Sequence, residues 1–320
     1  MLRLALVDAY SDTSVDTVQA LRRLRGVTCT AVVHADADIR QQSADELQTV
    51  YQSASLADLL SKHADEFDAV IIHGSVASRA KQARQAASTG KNVLLAGPPA
   101  INRDELQSVS EACRAADVRL MIASALRCRP SIAALKAALD SGKLGLPGLL
   151  RCHAWYPQTA GEDDFSWMSA MRLLELAVWI FGKSPTELFA TTNQFSHDAA
   201  WPDYIQLHLG FPDHGMALLS SATTLPATAA YETVSLIGST GAAYADDHAQ
   251  QQLLLRSQST AAVQSGERIP TLVAQLREFQ HRVTERRDPP GEIKLSFAAF
   301  DLLAAARQSL AEKQPIRLGK

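Results

Sequence analysis

Arg172 and Glu175 stand three residues apart in an apolar stretch, with Met168 and Trp179 on the same side of a helix. Two chemistries suit that spacing. One is a local ion pair; the other is a guanidinium fork, oriented by Glu175, that receives a carboxylate or a phosphate. His153 and Trp155 alternate along one face of a β-rich run, and Cys152, Ala154 and Tyr156 along the other. Either set edges a cleft or simply covers a sheet. His197 beside Asp198 reads as an acid/base pair or as idle polar neighbours in a loop. The nine histidines form no HxH or HExxH arrangement, so no metal site is expected. Cys29, Cys113, Cys128 and Cys152 are far apart and form no CxxC pair, which suits buried thiols better than a disulfide framework. There is no GxSxG elbow for nucleophilic catalysis.

The elements that position these groups change character along the chain. Over the first 125 residues, short β-rich runs alternate with helical patterns, which predicts βαβ units and a doubly wound parallel sheet. Strands are expected at Leu2–Val7, Thr28–His34, Ala69–Ile72, Asn92–Leu95 and Arg119–Ile122. Helices are expected at Ser14–Arg25, Leu56–Lys62, Arg79–Thr89 and Arg103–Ala116. After a helix at Ser131–Ser141, six strand-like runs between residues 149 and 257 surround a helix at Ser166–Phe181. Pro212-Asp213-His214-Gly215 is the plainest hairpin signal among them. Helices at Thr271–Arg286 and Glu292–Ala311 close the chain. The reading is an α/β domain over 1–125 followed over 126–320 by an α+β domain with an open, mostly antiparallel sheet.

A turn from the first strand into the first helix is where a doubly wound domain holds a dinucleotide. Glycines there let backbone N–H groups approach the pyrophosphate. This turn runs Asp8-Ala9-Tyr10-Ser11-Asp12-Thr13-Ser14-Val15-Asp16 and has none; only Gly26 precedes Gly74. Asp12 or Thr13 suits an N-cap, and a carboxylate near a helix start is stabilising by roughly 0.3–1 kcal/mol. The same carboxylate about 5 Å from a phosphate repels it by about 3 kcal/mol at an effective dielectric near 20. Repulsion outweighs the capping gain. Either these acids cap a helix that holds no anion, or the turn takes a cofactor in an altered pose or a ligand carrying a positive group.

Composition sets the wider bounds. Of 320 residues, 47% are hydrophobic and 20% charged, as in ordinary folded proteins, and the length suits about two domains. A net charge of −3 without basic runs beyond pairs such as Arg22-Arg23 argues against nucleic acid. The apolar start is too short for a signal segment. The apolar run Leu173–Phe181 contains Glu175 and falls short of the roughly 20 residues that span a bilayer, so no membrane partner and a cytoplasmic location are expected.

The order of motifs resembles the Gfo/Idh/MocA oxidoreductase family, whose members pair a Rossmann domain with a mostly antiparallel sheet domain. The resemblance rests on Ala69–Ile72, Gly90–Pro98, Leu126-Arg127 with Pro130, Leu135–Gly145, Leu236–Gly241 and the stretch from Leu276 to Ser309 and Pro315. It implies NAD or NADP as cofactor, no metal, and oxidation or reduction of a sugar, cyclitol or similar polyol.

Carried over residue by residue, it places Ala9, Tyr10, Ser11, Asp12 and Thr13 at the cofactor loop. It puts His34 where the family has an acidic ribose ligand, with Asp36 two residues on; Asp36 either reaches a ribose or is a solvated loop acid. Gly74 and Ser75 fall at the third-strand turn and Arg79 at a family histidine. Ala96, Gly97 and Pro98 replace the Glu-Lys-Pro motif that supplies a lysine to the substrate. Arg127 keeps the family's Leu-Arg pair, as a ligand contact or an interdomain hydrogen bond. Met168, Ala170, Arg172 and Glu175 replace the helix positions that bear Asp, Gly, the catalytic His and Asp. A missing acid/base ordinarily costs a factor of about 10²–10⁴ in rate.

These substitutions leave two expectations. One is an oxidoreductase-like pseudoenzyme, impaired or lost as a dehydrogenase, whose cleft takes a small polar or anionic molecule or whose sheet serves assembly. The other is a divergent but active NAD(P)-dependent sugar or polyol dehydrogenase using Arg172, Glu175, His153 or His197 for proton transfer. By the same resemblance, a homodimer or higher homo-oligomer is expected through the second-domain sheet, with Ile205–Phe211 and Met216–Thr224 supplying the surface.

Overall fold

The computed structural model describes residues 1–8, 11–157, 165–195, 202–225, 231–246, 253–256, 260–263, 268–287 and 292–319. In chain order the first elements are β1 (Leu2–Val7), α1 (Ser11–Arg22), β2 (Val27–Val33), α2 (Ala37–Leu47), β3 (Tyr51–Ser53), α3 (Leu56–His63) and β4 (Ala69–Ile72). Next come α4 (Val76–Ser88), β5 (Asn92–Leu95), α5 (Arg103–Ala115), β6 (Leu120–Ile122), α6 (Ala125–Cys128), α7 (Pro130–Asp140), β7 (Pro147–Pro157) and α8 (Phe165–Phe181). The remainder comprises β8 (Glu187–Asn193), β9 (Tyr204–Gly210), β10 (Met216–Leu225), β11 (Tyr231–Gly238), β12 (Ala242–Asp246), β13 (Leu253–Arg256) and β14 (Thr260–Val263). The chain ends with α9 (Arg268–Glu285), α10 (Glu292–Glu312) and β15 (Ile316–Arg317).

Two compact units result: residues 1–128 with 268–293, and residues 129–267 with 294–320. The first is built on six parallel strands in the order β3-β2-β1-β4-β5-β6. Order reverses between β1 and β4, the switch point where doubly wound sheets open a crevice. Strand β4 is buried along its whole length, as its unbroken apolar run requires of a central parallel strand. Helix α4 turns Ala80, Ala83, Ala86 and Ala87 inward, small enough for close packing on a sheet, and Gly90 follows it at φ +75°.

One face of this sheet presents Leu2, Leu4, Leu6, Ile71, Leu94 and Met121 to a common core. Its cover is α1, through Ala20 and Leu21, together with α9, through Leu276 and Phe279. The helix that completes the first unit thus arrives after strands β7 to β14 of the second unit's sheet, with only β15 still to come.

Among the described residues the second unit carries nine strands, in the order β14-β13-β12-β11-β7-β10-β9-β8-β15. All neighbours are antiparallel except β10 and β7. The expected hairpin is present: Phe211 N–H donates to Gly215 O at 2.7 Å, and Asp213 and His214 take positive φ between β9 and β10. Alternation divides the sheet. Leu150, Cys152, Ala154, Leu207, Leu219 and Val234 are buried on one face, whereas Leu149, Arg151, His153 and Trp155 point to the other and are partly exposed or exposed. Among the described residues, no helix is long and apolar enough to cross a membrane.

Helix α9 is expected to be indispensable to the first unit. Phe279 is 1% exposed, and Phe279→Ala should lower stability by about 3–5 kcal/mol, read from urea unfolding. A loss below about 1 kcal/mol would show that the sheet face closes without it.

Candidate functional site

Parallel strands carry their C-terminal ends to one edge, so β2, β1, β4 and β5 bring His34, Asp8, Gly74 with Ser75, and the Gly97–Pro98 turn there. Asp8 follows β1 with φ 50°, a left-handed conformation natural to glycine and tolerated by aspartate. Its carboxylate accepts a hydrogen bond from Gln82 Nε2 of α4. Gly74 is packed close to these groups: a Cβ there would lie 2.7 Å from Ser78 Oγ and 3.3 Å from Asp8 Oδ2. Ser75 is the cap residue just before α4, and its hydroxyl donates to Ser78 Oγ at 3.2 Å.

Helix α1 starts at Ser11, three residues before the expected boundary. Asp12 and Thr13 therefore lie inside the helix start rather than at its cap. Ala9 and Tyr10 lie outside the described residues, as does His197, and of the side chains of Ser11, Asp12 and Thr13 nothing is described. His34 Nδ1 accepts from Asp36 N at 3.0 Å. Asp36 caps α2, accepting from Asp38 N at 2.9 Å and Ile39 N at 3.1 Å, and these N–H groups, Ile39's foremost, hold its carboxyl below the usual range. That acid is a helix cap, a role the loop reading did not include.

At the end of β4, Arg79 donates from Nε to His73 O at 2.9 Å and from Nη1 to Pro98 O at 2.6 Å, tying two strand ends together. Burial, with nearby Arg79 adding to it, pushes the His73 imidazole down to about 4, so it is neutral at pH 7. Arg127 is half-buried on α6.

The second unit holds a different cluster, on the buried face of its sheet. In the β11–β7 register Glu232 lies opposite Ala154 and Thr233 opposite His153. Glu232 thus faces inward with Tyr156, and it is 8% exposed. Its carboxylate is held by Arg129 and by the Tyr156 hydroxyl, and Arg172 Nη2 of α8 donates to Oε1 at 3.1 Å. The Arg172 guanidinium also sits over the Tyr156 ring, 5.8 Å from its centre. Burial, then Arg129, lowers the Arg172 pKa to about 10 against the opposing pull of Glu175, which leaves it charged at neutral pH.

Arg172 and Glu175 are electrostatic neighbours on α8, but the hydrogen bond from Arg172 runs to Glu232. His153 is on the opposite face, where its ring lies 5.0 Å from that of Trp155, and Trp155 Nε1 donates to Ser220 Oγ at 2.9 Å. It does not join the arginine cluster. Sequence reasoning missed Arg129, Tyr156 as a polar partner, and Glu232. The available signal was an acid at an inward position, two and four residues before the buried Val234 and Leu236. Among the described residues, no three His, Cys, Asp or Glu side chains gather as metal ligands.

Comparison with known proteins agrees with this architecture. Residues 12–124 match an oxidoreductase family with an NAD-binding Rossmann fold, and residues 132–244 match the GFO/IDH/MocA C-terminal domain. The uncharacterized oxidoreductase YrbE of Bacillus subtilis (strain 168) is 24% identical over 241 residues, 72% of this chain and 70% of its own. A putative myo-inositol dehydrogenase from Sinorhizobium meliloti 1021 superposes with a TM-score of 0.85 at 17% identity, covering 100% of both chains. The scyllo-inositol dehydrogenase of Lactobacillus casei, with bound NAD(H) and scyllo-inositol, gives 0.84 at 14% identity, covering 99% of each. At these identities the structural likeness is one of fold.

Two measurements probe these clusters. Because His73 binds its proton less readily in the fold than in the unfolded chain, its contribution to stability is complete above pH 6.5 and declines as pH falls from 6.5 toward 4, by up to about 3 kcal/mol. Urea midpoints between pH 7.5 and 4.5 should fall less steeply in His73→Gln; equal slopes would contradict the depressed imidazole. Glu232→Gln leaves two arginines facing a neutral group and is expected to lower unfolding free energy by about 2–3 kcal/mol, discounted for the partial exposure of Arg172.

Proposed function

The chain belongs to the Gfo/Idh/MocA oxidoreductase family, and from that premise we propose that it is an oxidoreductase-like member whose hold on NAD or NADP, and with it dehydrogenase activity, is impaired or lost. The observation that carries this reading is the turn after β1. It has no glycine, it places Asp8 at the strand end with its carboxylate anchored by Gln82, and it is followed by Asp12 and Asp16 early in α1. A pyrophosphate needs bare N–H groups and positive potential at that place. These residues do not fit it.

The other supports are chemical. Asp36 is used as a helix cap, Gly97 stands where the family's lysine donates, and Arg172 stands where its histidine does. No step of hydride transfer is therefore assigned to this chain. In its place, the Arg129–Tyr156–Arg172–Glu232 cluster offers recognition of a small polar or anionic molecule. The Arg172 side chain is 32% accessible, and of its five donors one is spent on Glu232 at 3.1 Å. A carboxylate or phosphate suits such a fork.

The outer face of the second unit's sheet supports self-association. Met216, Ile237 and Tyr244 expose 53%, 44% and 38% of their surface on strands β10, β11 and β12, beside the half-buried Trp155 and His208. A homodimer through this face removes that apolar surface from water.

Calorimetric titration with NAD, NADH, NADP and NADPH should give heat no different from dilution. Submicromolar binding of any of the four overturns the proposal in favour of an active sugar or polyol dehydrogenase with an atypical cofactor pose. A panel of sugar acids should raise the melting temperature of the protein but not of Arg172→Ala; equal shifts in both dispose of anion recognition. Light scattering at micromolar concentration should report at least twice the 34.6-kDa chain mass, and a monomer would rule out the sheet interface.

A further inference from the structure

Thr17 Oγ1 of α1, His73 Nε2 after β4 and Gln275 Nε2 of α9 are buried side-chain atoms that make no hydrogen bond to the protein among the described residues. Thr17 is 1% exposed and Gln275 4%. All three line a single cavity of about 20 Å³ in the first unit, whose remaining wall is aliphatic, from Ile71, Leu94 and Leu272 among others. An unsatisfied buried polar group ordinarily costs about 1–3 kcal/mol. Three converging on one cavity therefore indicate a shared partner.

Size and charge select that partner. The volume exceeds the roughly 10–15 Å³ that one water centre needs and is too small for a phosphate or carboxylate. No carboxylate lines the wall, Gln275 presents an N–H, and His73 is neutral, so a cation finds no countercharge. Water meets each requirement: it accepts from the Gln275 amide, and its two protons are free for His73 Nε2 and Thr17 Oγ1.

We infer that Thr17, His73 and Gln275 form a binding site for one structural water, which joins α9 to α1 and to the end of β4. The backbone at His73 is already held by His73 N–H to Val7 O at 2.9 Å and by Arg79 Nε to His73 O. The water fixes the ring as well. It thereby positions the residue that leads into the Gly74–Ser75 turn at the crevice edge, and it does so from a helix that lies far along the chain.

A crystal structure at about 1.5 Å or better should show one fully occupied water within hydrogen-bond distance of all three atoms. A dry cavity in which Gln275 has turned to bond His73 directly would overturn the inference, as would density for an ion. A double-mutant cycle gives an independent reading. Thr17→Val and Gln275→Met should each lower the melting temperature by about 2–4 °C, while the pair together should cost clearly less than the sum because both lose the same water. Additive losses would mean that the two side chains do not share a partner.

Discussion

A parallel sheet must be covered on both faces, because its strands carry apolar side chains above and below the plane and its crossovers deliver helices to each side. Here α1 covers only part of one face, and the chain runs into its second sheet before the cover is complete. Helix α9 closes the gap with Leu276 and Phe279 against β1, β4, β5 and β6. The depressed imidazole of His73, the shared cavity beside it and the fixed strand end at Gly74 all lie under or beside that closure. The crevice edge is as well defined as the packing of one late helix allows.

The two units use buried polarity differently. In the first, the polar groups that line the cavity beside His73 are few and neutral, so hydration satisfies them at little cost. In the second, Glu232 sits between two guanidinium groups and a phenol, and Tyr156, Arg172 and Arg129 reach it from β7, α8 and the residue before α7. Charges so placed make a poor substitute for an apolar core, since desolvation cancels much of their attraction.

Fold was legible wherever burial imposes a period. Ala69–Ile72 reads as a central strand because all four residues are buried, and Arg79–Thr89 reads as a helix because its alanines recur on one side. Helix α2 and strand β3 escaped notice: α2 buries only Ser43 and Ala44, and β3 is three residues long, so neither writes a pattern. The site was less legible. Arg172 was singled out, but its partner Glu232 was not, because the pairing joins α8 to β11 across sixty positions and depends on which face of a strand the acid occupies. Asp36 reads as a ribose ligand or a solvated loop acid because a cap is defined by the backbone that follows it, and α2 is the helix without a pattern.

The divided construction of the first unit also has a temporal side. During synthesis, residues 1–128 leave the ribosome with one sheet face incompletely covered, and the segment that completes it begins only at Arg268. At about 5–20 residues per second, the intervening 139 residues (129 to 267) take roughly seven to thirty seconds to make. For that interval the nascent segment of 128 residues carries an open apolar surface, the kind of transient exposure that favours contact with neighbouring chains.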